Sequence, residues 1–264
     1  MKPYLLVVSY WGRPFHGFQL QRPGLSTVQA HLERALSHVE GRPVRVRGAG
    51  RTDAGVHAAA MPVRADISRE MPQEKWFLAL HGLLPPEIQI REMQEIPPDF
   101  DPRFHAVGKT YVYCLWLGPR SPFYAPFAAP WPYPFQKDLL EATLSLLKGE
   151  KDFQAFARAH GKRGRTRRTL SLSWGQKGAL VAIYFRSDGF LYRMVRALMA
   201  AILAVQRGRM ALKDLPAYLE PGGPSFPWTA PPEGLTLLEV EYPDRVVTDL
   251  AFRSFLPRPI ECPL

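Results

Sequence analysis

The sequence predicts an α+β protein of two ferredoxin-like (β-α-β-β-α-β) halves that form one extended, mostly antiparallel sheet with helices on one face. Three observations predict it. Short apolar or alternating runs of strand character recur along the 264 residues, and stretches with apolar residues at helical spacing fall between them. The same order of elements then occurs twice, although no sequence repeat is visible. The halves span 1–102 and 103–264, joined by a proline-rich stretch at 97–102.

In the first half, residues 4–10 (YLLVVSY) form a mostly apolar strand. Val28, Leu32, Ala35, Leu36 and Val39 make the apolar stripe of a helix, and Ser26-Thr27-Val28-Gln29 reads as its capping box, with Ser26 as the cap. Strands at 43–48 and 60–67 follow, then a helix over 75–84 stopped by Pro85-Pro86, and a strand at 88–93. In the second half, 109–117 is a strand with Tyr111, Tyr113, Leu115 and Leu117 on one face, followed by a helix over 136–147. Strands at 169–174 and 180–186 precede a long helix over 190–206, a shorter one near 212–219 and a closing strand at 235–242. Arg193 and Arg196 are three apart and share a face of the long helix. The proline- and aromatic-rich insertions at 118–134 and 221–232 read as packed covers.

Charge narrows the function. The chain carries 34 Lys and Arg, most of them Arg, against 24 Asp and Glu, a net charge of +10. Clustered cations recruit phosphates, and the arginine fork matches phosphate oxygens and stacks on bases, so nucleic acid is the expected partner. Arg158 to Arg168 (RAHGKRGRTRR) reads as a basic loop, with Arg158, Lys162, Arg163, Arg165, Arg167 and Arg168 as candidates for RNA-backbone contact or for a solvated surface. Arg45 and Arg47 share a face of the preceding half's second strand and extend the same set. The two cysteines, Cys114 and Cys262, are far apart and form neither a disulfide framework nor a zinc pattern. The apolar run 197–205 is far shorter than the roughly 20 residues of a membrane span. A cytoplasmic protein with no membrane partner is expected.

The chemistry points to one loop. Gly48-Ala49-Gly50-Arg51-Thr52-Asp53-Ala54-Gly55-Val56-His57 places a carboxylate and a guanidinium among three glycines between two strands, where a rigid sheet can present them. An Asp in such a turn also serves as a backbone cap, and Tyr111 and Arg196 read on their own as core and structural residues. Other chemistries lack their motifs. Gly48-x-Gly50 has no third glycine at dinucleotide spacing, there is no Walker A and no G-x-S-x-G, and His31-Leu32-Glu33 lacks the P-C-x-x-C of a zinc deaminase. No metal or cofactor is expected.

The motifs resemble those of the TruA family of tRNA pseudouridine synthases nearly end to end. Gly50 to His57 fits the family's G-R-T-D-A-G-V-H residue for residue. Tyr10 to Gln21 resembles its first-strand segment, Thr27-Val28-Gln29 its T-V-Q helix start, and Asp99-Phe100 through Arg103-Phe104 to Lys109-Thr110-Tyr111-Val112-Tyr113 a further segment. Asp152-Phe153, Gly189 to Arg196 and Ala230 to Pro243 complete the likeness. Phe18 stands where Trp is usual, Leu20 where Arg is usual, and Trp11 where Asp is common. The resemblance implies an isomerase, a tRNA pseudouridine synthase acting at positions 38, 39 and 40 of the tRNA anticodon arm without a cofactor, as a homodimer. It implies Asp53 as nucleophile, Arg196 as its ion-pair partner, Arg51 as the residue that fills the stack, and Tyr111 as the platform for the flipped base. A non-catalytic RNA-binding module or tRNA chaperone of the same fold is the alternative.

Overall fold

The computed structural model describes residues 1–158 and 165–261. In chain order the elements are β1 (Lys2–Tyr10), α1 (Val28–Glu40), β2 (Val46–Gly48), β3 (His57–Ile67), α2 (Gln73–Leu83), β4 (Ile88–Glu95), β5 (Gly108–Trp116), β6 (Ala129–Pro130), α3 (Lys137–Leu147), β7 (Gly149–Asp152), β8 (Arg167–Lys177), β9 (Leu180–Ser187), α4 (Met194–Gln206), β10 (Leu235–Tyr242), β11 (Arg245–Thr248), α5 (Leu250–Phe255) and β12 (Ile260–Glu261). The α+β class and the mostly antiparallel pairing are those the sequence predicts. The chain divides into two compact units, Met1–Val107 with Thr236–Arg253, and Gly108–Leu235 with Ser254–Leu264.

In the first unit β1 lies between β3 and β4 and pairs antiparallel with both, Tyr4 standing opposite Ala65 and Glu95. A strand flanked on both edges and covered on its faces needs apolar residues throughout, which is why YLLVVSY scarcely alternates. β2 pairs antiparallel with β3 through Val46↔Ala65 and Gly48↔Val63. β10 joins β3 in parallel through Thr236↔His57 and pairs antiparallel with β11. Two bonds hold it there: Val107 N–H donates to Glu241 O at 2.8 Å, and the Tyr242 hydroxyl donates to Pro102 O at 2.8 Å.

The start of α1 differs from the expected capping box. Thr27, in extended conformation, is the cap, and its hydroxyl accepts from Ala30 N at 3.3 Å. The Ser26 hydroxyl instead meets His31 Nε2 at 2.9 Å. The Gln29 amide does not reach back to a cap: its oxygen accepts from Leu20 N at 2.8 Å, and its nitrogen donates to Glu33 at 2.9 Å and Val46 O at 3.3 Å. It therefore ties the chain before the helix to β2. The helix ends at Gly41, whose φ of +78° is the left-handed cap that glycine adopts without strain.

His31 gives the first unit a pH dependence. Burial and the nearby Arg34 hold its pKa below the ordinary 6.5, against an opposing pull from Glu87. Below about pH 6.5 the unfolded chain takes up a proton that the folded one declines, so stability falls as pH drops through that value. In urea melts between pH 7.5 and pH 5, His31→Gln is expected to show a shallower loss than the wild type; equal slopes would contradict this.

In the second unit β9 runs antiparallel between β5 and β8, with Tyr111↔Phe185 and Leu172↔Phe185 in register. β7 and β12 pair with β8, and β6 runs parallel to β5. Tyr113, Phe153, Phe156 and Phe185 are the largest fully buried side chains of this unit. α4 is buried nearly all round, and Gln206 at its end exchanges two hydrogen bonds with the Gln136 backbone. Burial pushes the Cys114 thiol up to about 12, which leaves it an inert core residue.

Three expectations change here. The long helix starts at Met194 and not at 190, because Arg193 has a φ of +61° and caps it from the left-handed region; Arg193 and Arg196 do not share a helix face. Arg167 and Arg168 open β8 and are not part of a loop. The segment near 212–219 is a 3-10 helix, Leu212–Tyr218, with Pro216 inside it. The insertions are packed covers: Tyr124 stacks on Trp116 at 3.8 Å between centroids, and Phe226 on Phe156 at 5.3 Å.

Candidate active site

The Asp53 loop joins β2 to β3, and the segment that follows β1 cradles it. Phe18 N–H donates to Thr52 O at 3.1 Å, Gly55 N–H to Phe15 O at 3.4 Å, and Gly12 N–H to His57 Nδ1 at 3.0 Å. His57 is buried; accepting on Nδ1, it carries its proton on Nε2 in its neutral form. Within the loop Val56 N–H donates to Asp53 O at 3.1 Å, and the hydroxyls of Tyr10 and Thr52 lie 2.8 Å apart.

Two glycines make the close fit possible. A Cβ on Gly12 would stand 1.9 Å from Val56 O, and one on Gly17, whose φ is +93°, would stand 2.7 Å from Thr52 O. The cradle is itself held to the start of α1, where Gly17 O accepts from Val28 N at 3.2 Å and Phe18 O from Gln29 N at 2.9 Å. The loop is thus fixed by main-chain bonds on both sides. Asp53 is half-buried, Thr52 beside it is buried, and Arg51 and Ala54 are exposed.

Most RNA-facing candidates of this unit already have partners. Arg45 donates to the buried Glu33 at 2.7 Å, and Arg47 reaches Asp101 at 4.0 Å. Phe18 is buried, and its ring packs where a Gly48 Cβ would otherwise stand, 2.6 Å away. The residue that departs from the usual Trp is therefore a floor under the loop. Leu20 is exposed.

In the second unit Tyr111 is buried on β5 with its ring edge-to-face against Phe190 at 5.2 Å. Arg196 is half-buried in the first turn of α4, where its Nε donates to Ala230 O at 2.9 Å and its own carbonyl accepts from Ala230 N at 2.8 Å. The Tyr113 hydroxyl donates to Pro231 O at 3.0 Å, and burial first, then Glu233, pushes its pKa well above the ordinary tyrosine value. Arg158 donates to Pro227 O at 2.7 Å, and Arg167 pairs with Glu150 at 3.3 Å. Arg165 is exposed, and Arg168 is half-buried beside Gly189. Lys162 and Arg163 lie outside the described residues. Among the described residues no group of three or more His, Cys, Asp or Glu could hold a metal ion, and no helix is long and apolar enough to cross a membrane.

The family model described as tRNA pseudouridine synthase matches residues 6–105 and 144–243, which include the Asp53 loop, its cradle, β8, β9 and α4. The chain belongs to the tRNA pseudouridine synthase family. It is 41% identical to a tRNA pseudouridine synthase A of Akkermansia muciniphila, over 91% of this chain and 95% of that protein. It is 37% identical to one of Thermus thermophilus, over 92% and 98%, and 36% identical to one of Syntrophomonas wolfei, over 90% and 97%. A pseudouridine synthase is an isomerase: it detaches uracil from its ribose and rejoins the two through carbon. The Asp53 loop lies in the first matched segment and carries a half-buried carboxylate on a turn fixed by main-chain bonds, with an exposed arginine two residues before it. The cradle glycines and the Thr52–Tyr10 hydroxyl contact were not singled out from the sequence. Their signal was there, in the Tyr10 to Gln21 segment that resembles the family but carries no ionisable catalytic group.

Proposed function

We propose that this tRNA pseudouridine synthase acts on uridines 38, 39 and 40 of the tRNA anticodon arm, with Asp53 as nucleophile and no cofactor. The observation that carries the reading is the cradle: a half-buried carboxylate on a loop held by main-chain bonds at Thr52 and Gly55 and by the Gly12 N–H bond to the His57 ring. Such fixing places a nucleophile within reach of its target before the substrate arrives.

Uridine leaves the stack, at a cost of about a few kcal/mol, and Arg51 fills the gap. Asp53 assists scission of the N1–C1′ bond. The freed uracil turns, C5 bonds to C1′, the C5 proton passes to solvent and N1 takes one up from solvent, so that the product is an isomer of the substrate. Tyr111 provides the face on which the base rests, and Arg196 is the ion-pair partner of Asp53; both roles rest on the family motif. The enzyme works as a homodimer in the cytoplasm. Chemical derivatisation of the mass-silent product on bulk tRNA tests the site choice: pseudouridine gained at 38, 39 and 40 supports it, and gain elsewhere on tRNA refutes it.

RNA-backbone contact by the second unit rests on Arg158, Lys162, Arg163, Arg165, Arg167 and Arg168, and by the first on Arg45 and Arg47. Arg165→Gln is expected to lower the slope of log Kd for tRNA against log salt by about one, as loss of a single phosphate contact does. Arg167→Gln is expected to change it less, because Glu150 already competes for that guanidinium. Equal, unchanged slopes would return both to the solvated surface.

A further inference from the structure

A pocket of about 240 Å³ opens beside the Asp53 loop, wholly within the first unit. Phe18, Val46 and Gly48 line it, as do Gly50 and Arg51 of the loop and the Asp101–Phe104 turn opposite. Gly48 and Gly50 add no side chain to its wall, and the Phe18 ring fills the space beside Gly48. Its volume is below the roughly 300–1,000 Å³ of a drug-sized site, which restricts an occupant to about one planar ring system.

The turn is built to hold an aromatic ring outward. Asp101 Oδ1 accepts from Arg103 N at 2.8 Å and Phe104 N at 3.1 Å, and Asp101 N–H donates to His105 Nδ1 at 3.0 Å. Phe104 is left 78% exposed, with the Arg103 guanidinium 5.6 Å from its ring centroid. Three arginines, Arg47, Arg51 and Arg103, line the pocket with one carboxylate, Asp101, whose one oxygen is occupied by the turn and whose other faces Arg47 at 4.0 Å. Among the described residues Arg51 and Arg103 have no carboxylate within 4.0 Å. An exposed ring, a one-ring pocket and surplus guanidinium charge together match a single unpaired nucleotide. Every base has a face that stacks on an aromatic ring, and a phosphate neutralises the arginines.

We infer that this pocket holds one unstacked nucleotide of the RNA substrate next to the target uridine, its base on Phe104 and its phosphate against Arg47 and Arg103. The inference rests on the functional reading above, since Arg51 is both a wall of the pocket and two residues from Asp53. The pocket would therefore position the strand on one side of the flipped base, leaving Arg51 to enter the stack.

The test compares Phe104→Leu, Phe104→Trp and Arg103→Gln in the full chain, by tRNA filter binding over a salt series and by pseudouridine formation in a single turnover. Phe104→Leu is expected to weaken tRNA binding about tenfold, the loss of one base–aromatic stack. Phe104→Trp is expected to retain wild-type affinity, and Arg103→Gln to lower the salt slope by about one. Because both side chains are exposed, unchanged melting temperatures are expected. Wild-type affinity for Phe104→Leu overturns the inference, as does a loss that Phe104→Trp does not rescue. A shift of Phe104→Leu from dimer to monomer in sedimentation velocity also overturns it, by assigning the ring to a second copy of the chain. Affinity scores the pocket, whereas pseudouridine made by the wild type scores the functional reading, so the two fail separately.

Discussion

Asp53→Ala is expected to reduce tritium release from tRNA labelled at uridine C5 to background while leaving tRNA affinity within a few-fold of wild type. The separation follows from how the loop is held. Its turn is closed by Val56 N–H on the Asp53 carbonyl, and its flanks by Phe18 on Thr52 and Gly55 on Phe15, all through main chain. Truncating the side chain leaves those bonds in place. Arg51 remains exposed beside the site, and the arginines proposed to contact phosphate are untouched, so the substrate is expected still to bind. What disappears is the carboxylate proposed to assist glycosidic scission, and with it, on that proposal, the release of the C5 proton. Retained tritium release would sink the mechanism. Loss of release together with loss of binding would point instead to an RNA-binding module or chaperone in which Asp53 organises the surface.

The second large effect comes from a residue with no side chain. Gly12→Ala is expected to lower kcat by about a hundredfold, since displacement of a reacting group by about an ångström costs that much, with a smaller change in tRNA affinity. The new methyl would stand 1.9 Å from the Val56 carbonyl oxygen. Backbone cannot yield as a flexible side-chain end can, so the loop carrying Asp53 must move. A lower melting temperature accompanies the shift, because overpacking typically costs about 1–3 kcal/mol. Gly82→Ala is the control: a Cβ there meets nothing within 4 Å on the exposed end of α2, and activity should be unchanged. A Gly12→Ala enzyme with wild-type kcat would show that the cradle does not set the position of Asp53.

Much of this was legible in the residues. The apolar run of β1, the stripe of α1 and the order of strands and helices follow from periodicity, and the Asp53 loop stood out because a carboxylate, an arginine and three glycines rarely crowd so short a stretch. Boundaries were less legible where a single residue decides them. Arg193 reads as an ordinary helical residue, and only its left-handed backbone moves the helix start to Met194. Ser26 and Thr27 are both good caps; Thr27 takes the place, and the Ser26 hydroxyl engages His31, five residues on and within the helix that Thr27 caps. The cradle was hidden for a different reason. Gly12 and Gly17 act by having nothing at Cβ, and an absence acquires meaning only when the chain opposite it is known. Phe104 belongs to a motif the sequence shows, but its exposure depends on the turn made by Asp101, which periodicity does not report.

The helix start at Met194 also changes the electrostatic setting of Arg196. Had α4 begun at 190, this guanidinium would lie in its second turn, past the unsatisfied amides. It lies in the first turn instead, where the helix carries roughly half a positive charge, and no acidic residue of that turn offsets it. A cation is unfavourable at that end, and the Nε bond to the Ala230 carbonyl is one of the contacts that hold it there. The result is a point where side-chain charge and peptide dipoles have the same sign. A carboxylate pairing with Arg196 would feel both, and replacing the arginine by a neutral residue would remove only the larger share of that attraction.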